Sequence, residues 1–203
     1  MCSSDLFNKV LEFEKLIAEF YGSKYAVSTD CCTHAIELCL RLLNPSYVEC
    51  PTNTYISIPF TFEKLGISWD FNNDQWHNYY FIGNTHIVDA AVYWQENGYV
   101  PNTLMCLSFQ FKKHLSLGRG GVILTDNYEA QKELKKMSYD GRISNVPWIE
   151  QDIDTIGYHY YMTPETAILG LQKLPEAIKT KPKKWKINDW ADLTQMKIFK
   201  ESK

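Results

Sequence analysis

No stretch of this 203-residue chain approaches the roughly 20 apolar residues a helix needs to cross a bilayer, so no membrane span is expected. The N-terminal residues Met1-Cys2-Ser3-Ser4-Asp5 contain no basic region followed by an apolar run, which makes a cytoplasmic location the expectation. Positive charge is not in excess either. With 21 Lys and Arg against 24 Asp and Glu, the formal net charge of −3 gives no electrostatic reason to expect nucleic acid as a partner. The basic run Lys179 to Lys186 reads as a solvated tail. Metal-ligand spacing is missing from the cysteines: Cys31 and Cys32 are adjacent, while Cys2, Cys39, Cys50 and Cys106 are scattered. Neither a metal site nor a disulfide framework is expected, and Cys39, Cys50 and Cys106 read as reduced, core-filling thiols. No segment repeats.

What is present is an alternation of helical and strand patterns. Leu6, Val10, Phe13, Ile17 and Phe20 recur at helical spacing between Asp5 and Tyr21, and Gly22 supplies a stop. A strand at residues 25–28 leads through the polar Thr29-Asp30-Cys31-Cys32 into a helix over residues 33–43. Strands at 47–50 and 67–71 flank a helix at 57–65, with a loop over 72–85 holding a short strand near Tyr79 to Ile82. His86-Ile87-Val88-Asp89 reads as a strand ending in a carboxylate. Residues 104–109 and 121–125 read as a final pair, followed by helices at 128–137 and at 163–174, the latter opened by Thr163-Pro164-Glu165. This order predicts an α/β fold of three layers, α/β/α, around a mostly parallel central sheet. Residues 1–174 are expected to form one large domain, and residues 175–203 a tail, helical or partly disordered.

Several residues in this frame carry chemistry. Lys113 follows the strand at 104–109 and precedes Gly118-Arg119-Gly120-Gly121; a lysine amine at a strand end whose charge is suppressed by burial can form a Schiff base. Asp89 stands at a strand's carboxyl end, where open α/β sheets place ligands, and would keep a pyridine nitrogen protonated. Cys32 and Thr33 open a helix directly after a strand, so their free N–H groups suit a phosphate. Tyr55 offers a flat surface for a ring, and Ser108 a hydroxyl near the lysine. Together these are the services a protein gives pyridoxal 5′-phosphate (PLP).

In their order these residues resemble the DegT/DnrJ/StrS sugar-nucleotide aminotransferases, a PLP-dependent group with the aspartate aminotransferase fold (fold type I). The similarity runs over most of residues 12–174. Cys32-Thr33 stands where the family usually has Gly-Thr, Pro51-Thr52-Asn53-Thr54-Tyr55 is similar to the segment with the ring-stacking aromatic, and Val88-Asp89-Ala90-Ala91 to the Glu-Asp-Ala-Ala stretch. Ser108-Phe109-Gln110-Phe111-Lys112-Lys113 with the following glycines resembles the lysine loop, its spacing selecting Lys113 over Lys112. Gly157-Tyr158-His159-Tyr160-Tyr161-Met162 is similar to a Gly-Tyr-Asn-Tyr-Arg-Met stretch whose asparagine reaches the phosphate of the neighbouring subunit, which points to His159. Val92 and Arg119 depart from the pattern, standing where a glutamine and an acidic residue are usual.

The resemblance implies the large domain of that fold with the small C-terminal domain largely missing, and a homodimer with shared active sites. It further implies transfer of an amino group from glutamate, by way of pyridoxamine 5′-phosphate, to a nucleotide-linked 4-keto-6-deoxy sugar, with Lys113 as the covalent anchor and proton-moving base. Two alternatives stand beside it: a sugar-nucleotide binding module without turnover, and a PLP-dependent sugar dehydratase, in which a histidine such as His114 would replace the lysine.

Overall fold

Helix α1 (Ser3–Tyr21) turns Val10, Phe13 and Ile17 to the interior, and Gly22 ends it at φ +77 with its N–H on the Ala18 carbonyl at 2.9 Å. A computed structural model describes residues 3–200, with side chains from Phe7 onward; Met1, Cys2 and residues 201–203 lie outside the described residues, as does the side chain of Leu6. Strand β1 (Tyr25–Thr29) leads into α2 (Cys32–Leu43), β2 (Tyr47–Pro51), α3 (Ser57–Leu65), β3 (Ser68–Asn72) and β4 (Tyr80–Phe81). Next come β5 (Ile87–Asp89), β6 (Leu104–Ser108), β7 (Gly121–Thr125), α4 (Tyr128–Ser138), α5 (Pro164–Lys179) and α6 (Lys197–Lys200).

Five strands form one sheet in the order β1-β7-β6-β5-β4, and β2 pairs with β3 beside it. Period-2 alternation divides the strand side chains between two cores. Ala26, Val88, Met105, Leu107, Val122 and Leu124 face α1 and α5. Val27, Ile87, Leu104, Cys106 and Ile123 face α2 and α4. The result is the expected three-layer α/β/α arrangement. On the first face the helices approach so closely that a Cβ on Gly170 of α5 would lie 2.5 Å from the Phe13 ring, which explains a glycine inside that helix.

The sheet is mixed, a correction to the mostly parallel one expected. Only β5/β6 and β2/β3 are parallel, while β1/β7, β6/β7 and β4/β5 are antiparallel. Parallel neighbours need a long crossover, and neither the β4–β5 turn nor the lysine loop between β6 and β7 provides one. The β2/β3 pair joins the rest through the Gly83 N–H on the Glu49 carbonyl at 2.9 Å. Gly83 has φ +51, and a Cβ there would lie 2.8 Å from the Glu49 nitrogen, so the junction requires glycine.

Helix α5 begins with Pro164, capped by the Thr163 hydroxyl accepting from the Thr166 N–H, and continues through Pro175 to Lys179, past the Leu174 end expected from the pattern. Buried Leu174 and Ala177 hold this last turn against α1 and the sheet. Beyond it the chain folds back. The Leu193 N–H donates to the Thr52 carbonyl at 2.9 Å, Asn53 Nδ2 donates to the Trp190 carbonyl at 3.2 Å, and the Leu193 side chain is buried. Phe199 packs edge-on against Trp69 and Phe71. Cys39 and Cys106 meet with their sulfurs 3.7 Å apart as free thiols in the core. Among the described residues no helix is long and apolar enough to cross a membrane.

Candidate active site

A cleft of about 810 Å³ opens where β5 and β6 end and α2 begins. It gathers Cys32, Thr33, Tyr55, Asp89, Ser108 and Lys113, six of the seven residues singled out from the sequence. The physical reason is topological: β5 and β6 run parallel, so Asp89 and Ser108 stand at the same edge of the sheet, and α2 starts close to that edge.

Lys113 sits in a turn closed by its own N–H on the Gln110 carbonyl at 2.8 Å, while Phe109 and Phe111 pair with Gly120 and Gly118 across the loop. Its amine enters the cleft, whereas the neighbouring Lys112 is exposed. Burial lowers the amine below its ordinary pKa; the charges of Cys32 and Asp89 oppose that shift, and Lys183 and Lys112 add to it. Trp185 and Trp190 cover it, with Lys113 Nζ 4.9 Å and 5.5 Å from their ring centres. The two indoles stack on each other at 5.7 Å. Nothing in the sequence placed these tryptophans here beyond their being aromatic residues in a charged tail.

Asp89 is buried, and burial raises its carboxyl above the ordinary value against the pull of hydrogen bonds from Tyr80 and Ala91 and of the Lys113 charge. The Tyr80 hydroxyl donates to Oδ2 at 2.7 Å and the Ala91 N–H to Oδ1 at 3.0 Å. Helix α2 begins at Cys32 with no side chain among the described residues capping it, and Cys31, Cys32 and Thr33 at its start line the cleft. Thr33 Oγ1 lies 2.9 Å from Ser57 Oγ. The start of β7 is pressed against this turn: a Cβ on Gly121 would meet Cys31 C and Cys32 N at 2.6 Å. Tyr55 projects from the loop between β2 and α3 and is 58% exposed, leaving its ring face open.

Beside the turn, Asp30, Cys31, His34 and Arg119 form a polar cluster. The His34 Nδ1–H donates to Asp30 at 2.6 Å, Arg119 donates to Asp30 at 2.8 Å, and the His34 ring stacks on Tyr160 at 3.7 Å. Burial alone would lower the imidazole, yet hydrogen bonds to Asp30 and Cys31 push it up to about 9. His159 is the residue the structure does not bring to the cleft. It stands 70% exposed on the surface, bonded to Asp140 at 2.9 Å. Its backbone bridges to Tyr139, and neither residue lines the cleft.

Comparison with known proteins agrees with this architecture. The family model described as the DegT/DnrJ/EryC1/StrS aminotransferase family matches residues 4–67 and 95–194. An uncharacterized protein of Methanocaldococcus jannaschii is 23% identical over 227 aligned residues, covering 83% of this chain and 57% of that protein. Among solved structures, AtS13 from Actinomadura melliaura superposes with a TM-score of 0.75 at 18% identity, covering 84% of this chain and 60% of its own. Helicobacter pylori PseC, an aminotransferase involved in the biosynthesis of pseudoaminic acid, gives 0.68 at 16% identity, with coverages of 83% and 58%. Spr1654 from Streptococcus pneumoniae in its PLP-form gives 0.68 at 19%, with coverages of 84% and 60%. The chain thus shares the fold of these proteins while spanning less than two thirds of their length. The family match together with the fold supports one conclusion: this chain belongs to the DegT/DnrJ/EryC1/StrS aminotransferase family.

Proposed function

We propose that this chain binds PLP in the cleft and acts as an aminotransferase that moves an amino group from glutamate to a nucleotide-linked keto sugar of the 4-keto-6-deoxyhexose type. The observation that carries the reading is the convergence on one cavity of a lysine amine with suppressed charge, a buried carboxylate and an uncapped helix start. These three groups match the three poles of the cofactor: aldehyde, ring nitrogen and phosphate. PLP, when bound, supplies a carbonyl that an amine can capture and a ring that takes up an electron pair. Lys113 would hold the carbonyl carbon and afterwards shuttle a proton, a task suited to an amine whose pKa burial has lowered. Asp89 would hold the ring nitrogen, the N–H groups of Cys32 and Thr33 with Ser108 the phosphate, and Tyr55 one ring face. Spr1654, which shares the fold, has been solved in both PLP and PMP forms, which supports the cofactor assignment.

A homodimer fits the outward placement of His159, which in this reading reaches the phosphate of the partner site. The exposed Ile143, Val146, Trp148, Ile149, Ile153 and Ile156 give the 143–156 segment an apolar surface suited to a second copy of the chain. The test is spectroscopic. Purified protein with PLP should show a visible absorption band that borohydride traps covalently on Lys113, that Lys113→Ala abolishes, and that glutamate converts to the pyridoxamine form. A protein indifferent to PLP would favour the binding-module reading, and one that binds PLP yet ignores every amino acid would favour sugar dehydration.

A further inference from the structure

Behind Asp89 a buried run of hydroxyls passes from Thr54, at the wall of the cleft, to Tyr80, which does not line it. Tyr80 stands on β4 directly across the antiparallel ladder from Asp89. Its hydroxyl is 2.7 Å from Asp89 Oδ2 and 2.6 Å from Thr54 Oγ1. A phenol has one hydrogen, and an ionised carboxylate can only accept, so the direction is fixed: Thr54 donates to Tyr80, and Tyr80 donates to Asp89. Burial and then the Asp89 charge hold the Tyr80 phenol far above its ordinary pKa, so it remains a donor. Trp76 packs on the Tyr80 ring at 5.2 Å and ties its own indole N–H to the Asn53 carbonyl at 2.9 Å, fixing the ring. Both Asp89 oxygens are thereby oriented, Oδ2 by a phenol that does not line the cleft and Oδ1 by the backbone N–H of Ala91 at its wall, leaving a lone pair of each for a ligand. Tyr80 falls within residues 68–94, the interval that the family match skips.

We propose that Tyr80, backed by Thr54, is a positioning residue that keeps Asp89 ionised and aimed at the cofactor's ring nitrogen; this rests on the PLP reading above. A buried carboxylate loses its charge readily unless a donor favours the anion, and here one of its two donors is the phenol. Without it, Asp89 takes up a proton more easily and the ring nitrogen loses its counter-ion. A merely structural Tyr80 would contribute through its ring alone, and Tyr80→Phe keeps the ring.

The experiment compares wild type, Tyr80→Phe, Thr54→Val and Thr54→Ser by PLP titration and by the pH dependence of the bound cofactor's visible band. Loss of one hydrogen bond to a charged group predicts a roughly ten-fold or greater weakening of PLP binding in Tyr80→Phe. The band's titration midpoint should also move to higher pH, because a ring that has lost its positive charge withdraws fewer electrons from the nitrogen bonded to Lys113. Thr54→Val should shift both quantities in the same direction by less, and Thr54→Ser should restore them; this pair carries the test should Tyr80→Phe fail to fold. Wild-type affinity and an unmoved midpoint in Tyr80→Phe or in Thr54→Val overturn the proposal while the PLP reading stands. A wild-type protein that takes up no PLP overturns both.

Discussion

Glu37 does not line the cleft, yet it braces the helix that opens there. It lies on α2 with its side chain 1% exposed and accepts from Arg41 Nε and Nη2 at 3.0 and 2.8 Å, from Lys64 Nζ at 2.9 Å and from the Tyr160 hydroxyl at 3.3 Å. Those contacts brace the helix that opens at Cys32 against α3 and against the segment bearing His159. Glu37→Gln keeps the shape, removes the charge and points an amide N–H₂ at a cation. A hydrogen bond to a charged group is worth about 1.5–3 kcal/mol, and breaking a fully buried pair about 3–5 kcal/mol. Lys64 is 49% and Arg41 27% exposed, so water replaces part of what is lost and roughly 2–3 kcal/mol is expected. For a chain of this length that corresponds to a drop in Tm of roughly 4–10 °C. The pH dependence adds a signature. Burial opposes the charge of Glu37, but Lys64 and Arg41 prevail and hold its carboxyl below the ordinary value. The stabilisation is therefore complete above the unfolded pKa and lost as pH falls through the lower folded one. Urea unfolding should show a constant gap between wild type and variant from pH 6 to 8 that closes in acid. Equal midpoints at neutral pH, or a gap that widens in acid, would refute the reasoning.

Other outcomes follow from single contacts. Gly121→Ala places a methyl 2.6 Å from the backbone of the Cys31–Cys32 turn, which costs about 1–3 kcal/mol of stability and should weaken PLP binding in the folded variant, as read by equilibrium titration. The His34 ring should titrate near 9 by NMR; since that value lies above the unfolded one, its stabilising contribution is full below about pH 6.5 and fades as pH rises through 9, and His34→Gln should flatten that slope. Leu193→Ala should cost about 2–3 kcal/mol and speed hydrogen exchange across residues 185–196, because the buried Leu193 pins the segment carrying the tryptophan cover.

The layered fold was legible because periodicity reports which face a residue buries, and the two faces of β5, β6 and β7 alternate without exception. Asp89 and the Cys32-Thr33 turn were legible because each sits at the end of a regular element, and Lys113 because its spacing from Ser108 and Gly118 marks it within the loop after β6. Strand direction was not, since antiparallel pairing of β6 with β7 depends on the path of the lysine loop. Tyr80 was invisible for a similar reason: a tyrosine in a polar, aromatic stretch reveals its partner only once β4 is laid beside β5. Trp185 and Trp190 reach Lys113 from more than 70 residues away, through a fold-back anchored on the Thr52 carbonyl and the Asn53 side-chain amide, partners that chain spacing does not reveal. His159 shows the opposite case, a position singled out by its motif that does not line this chain's own cleft.

The electrostatics of the cleft lead to a final expectation. Burial pushes Asp89 up and Lys113 down, so both groups are driven toward neutrality, and their mutual attraction restores only part of the charge. A site in that condition is short of a ligand that presents a cation to the carboxylate, a carbonyl to the amine and an anion to the start of α2. Binding such a ligand relieves two desolvation costs together, so it should stabilise the folded chain by mass action. At a PLP concentration of 100 times Kd the gain is about 2.7 kcal/mol, which at this length corresponds to a rise in Tm of roughly 5–10 °C. Asp89→Asn removes the buried charge and leaves a nearly isosteric amide. It should match or exceed the wild type's Tm without ligand and lose most of the rise with PLP. Should the asparagine variant gain as much from PLP as the wild type, the carboxylate would have no part in holding the ring, and the cleft's polarity would serve some other ligand.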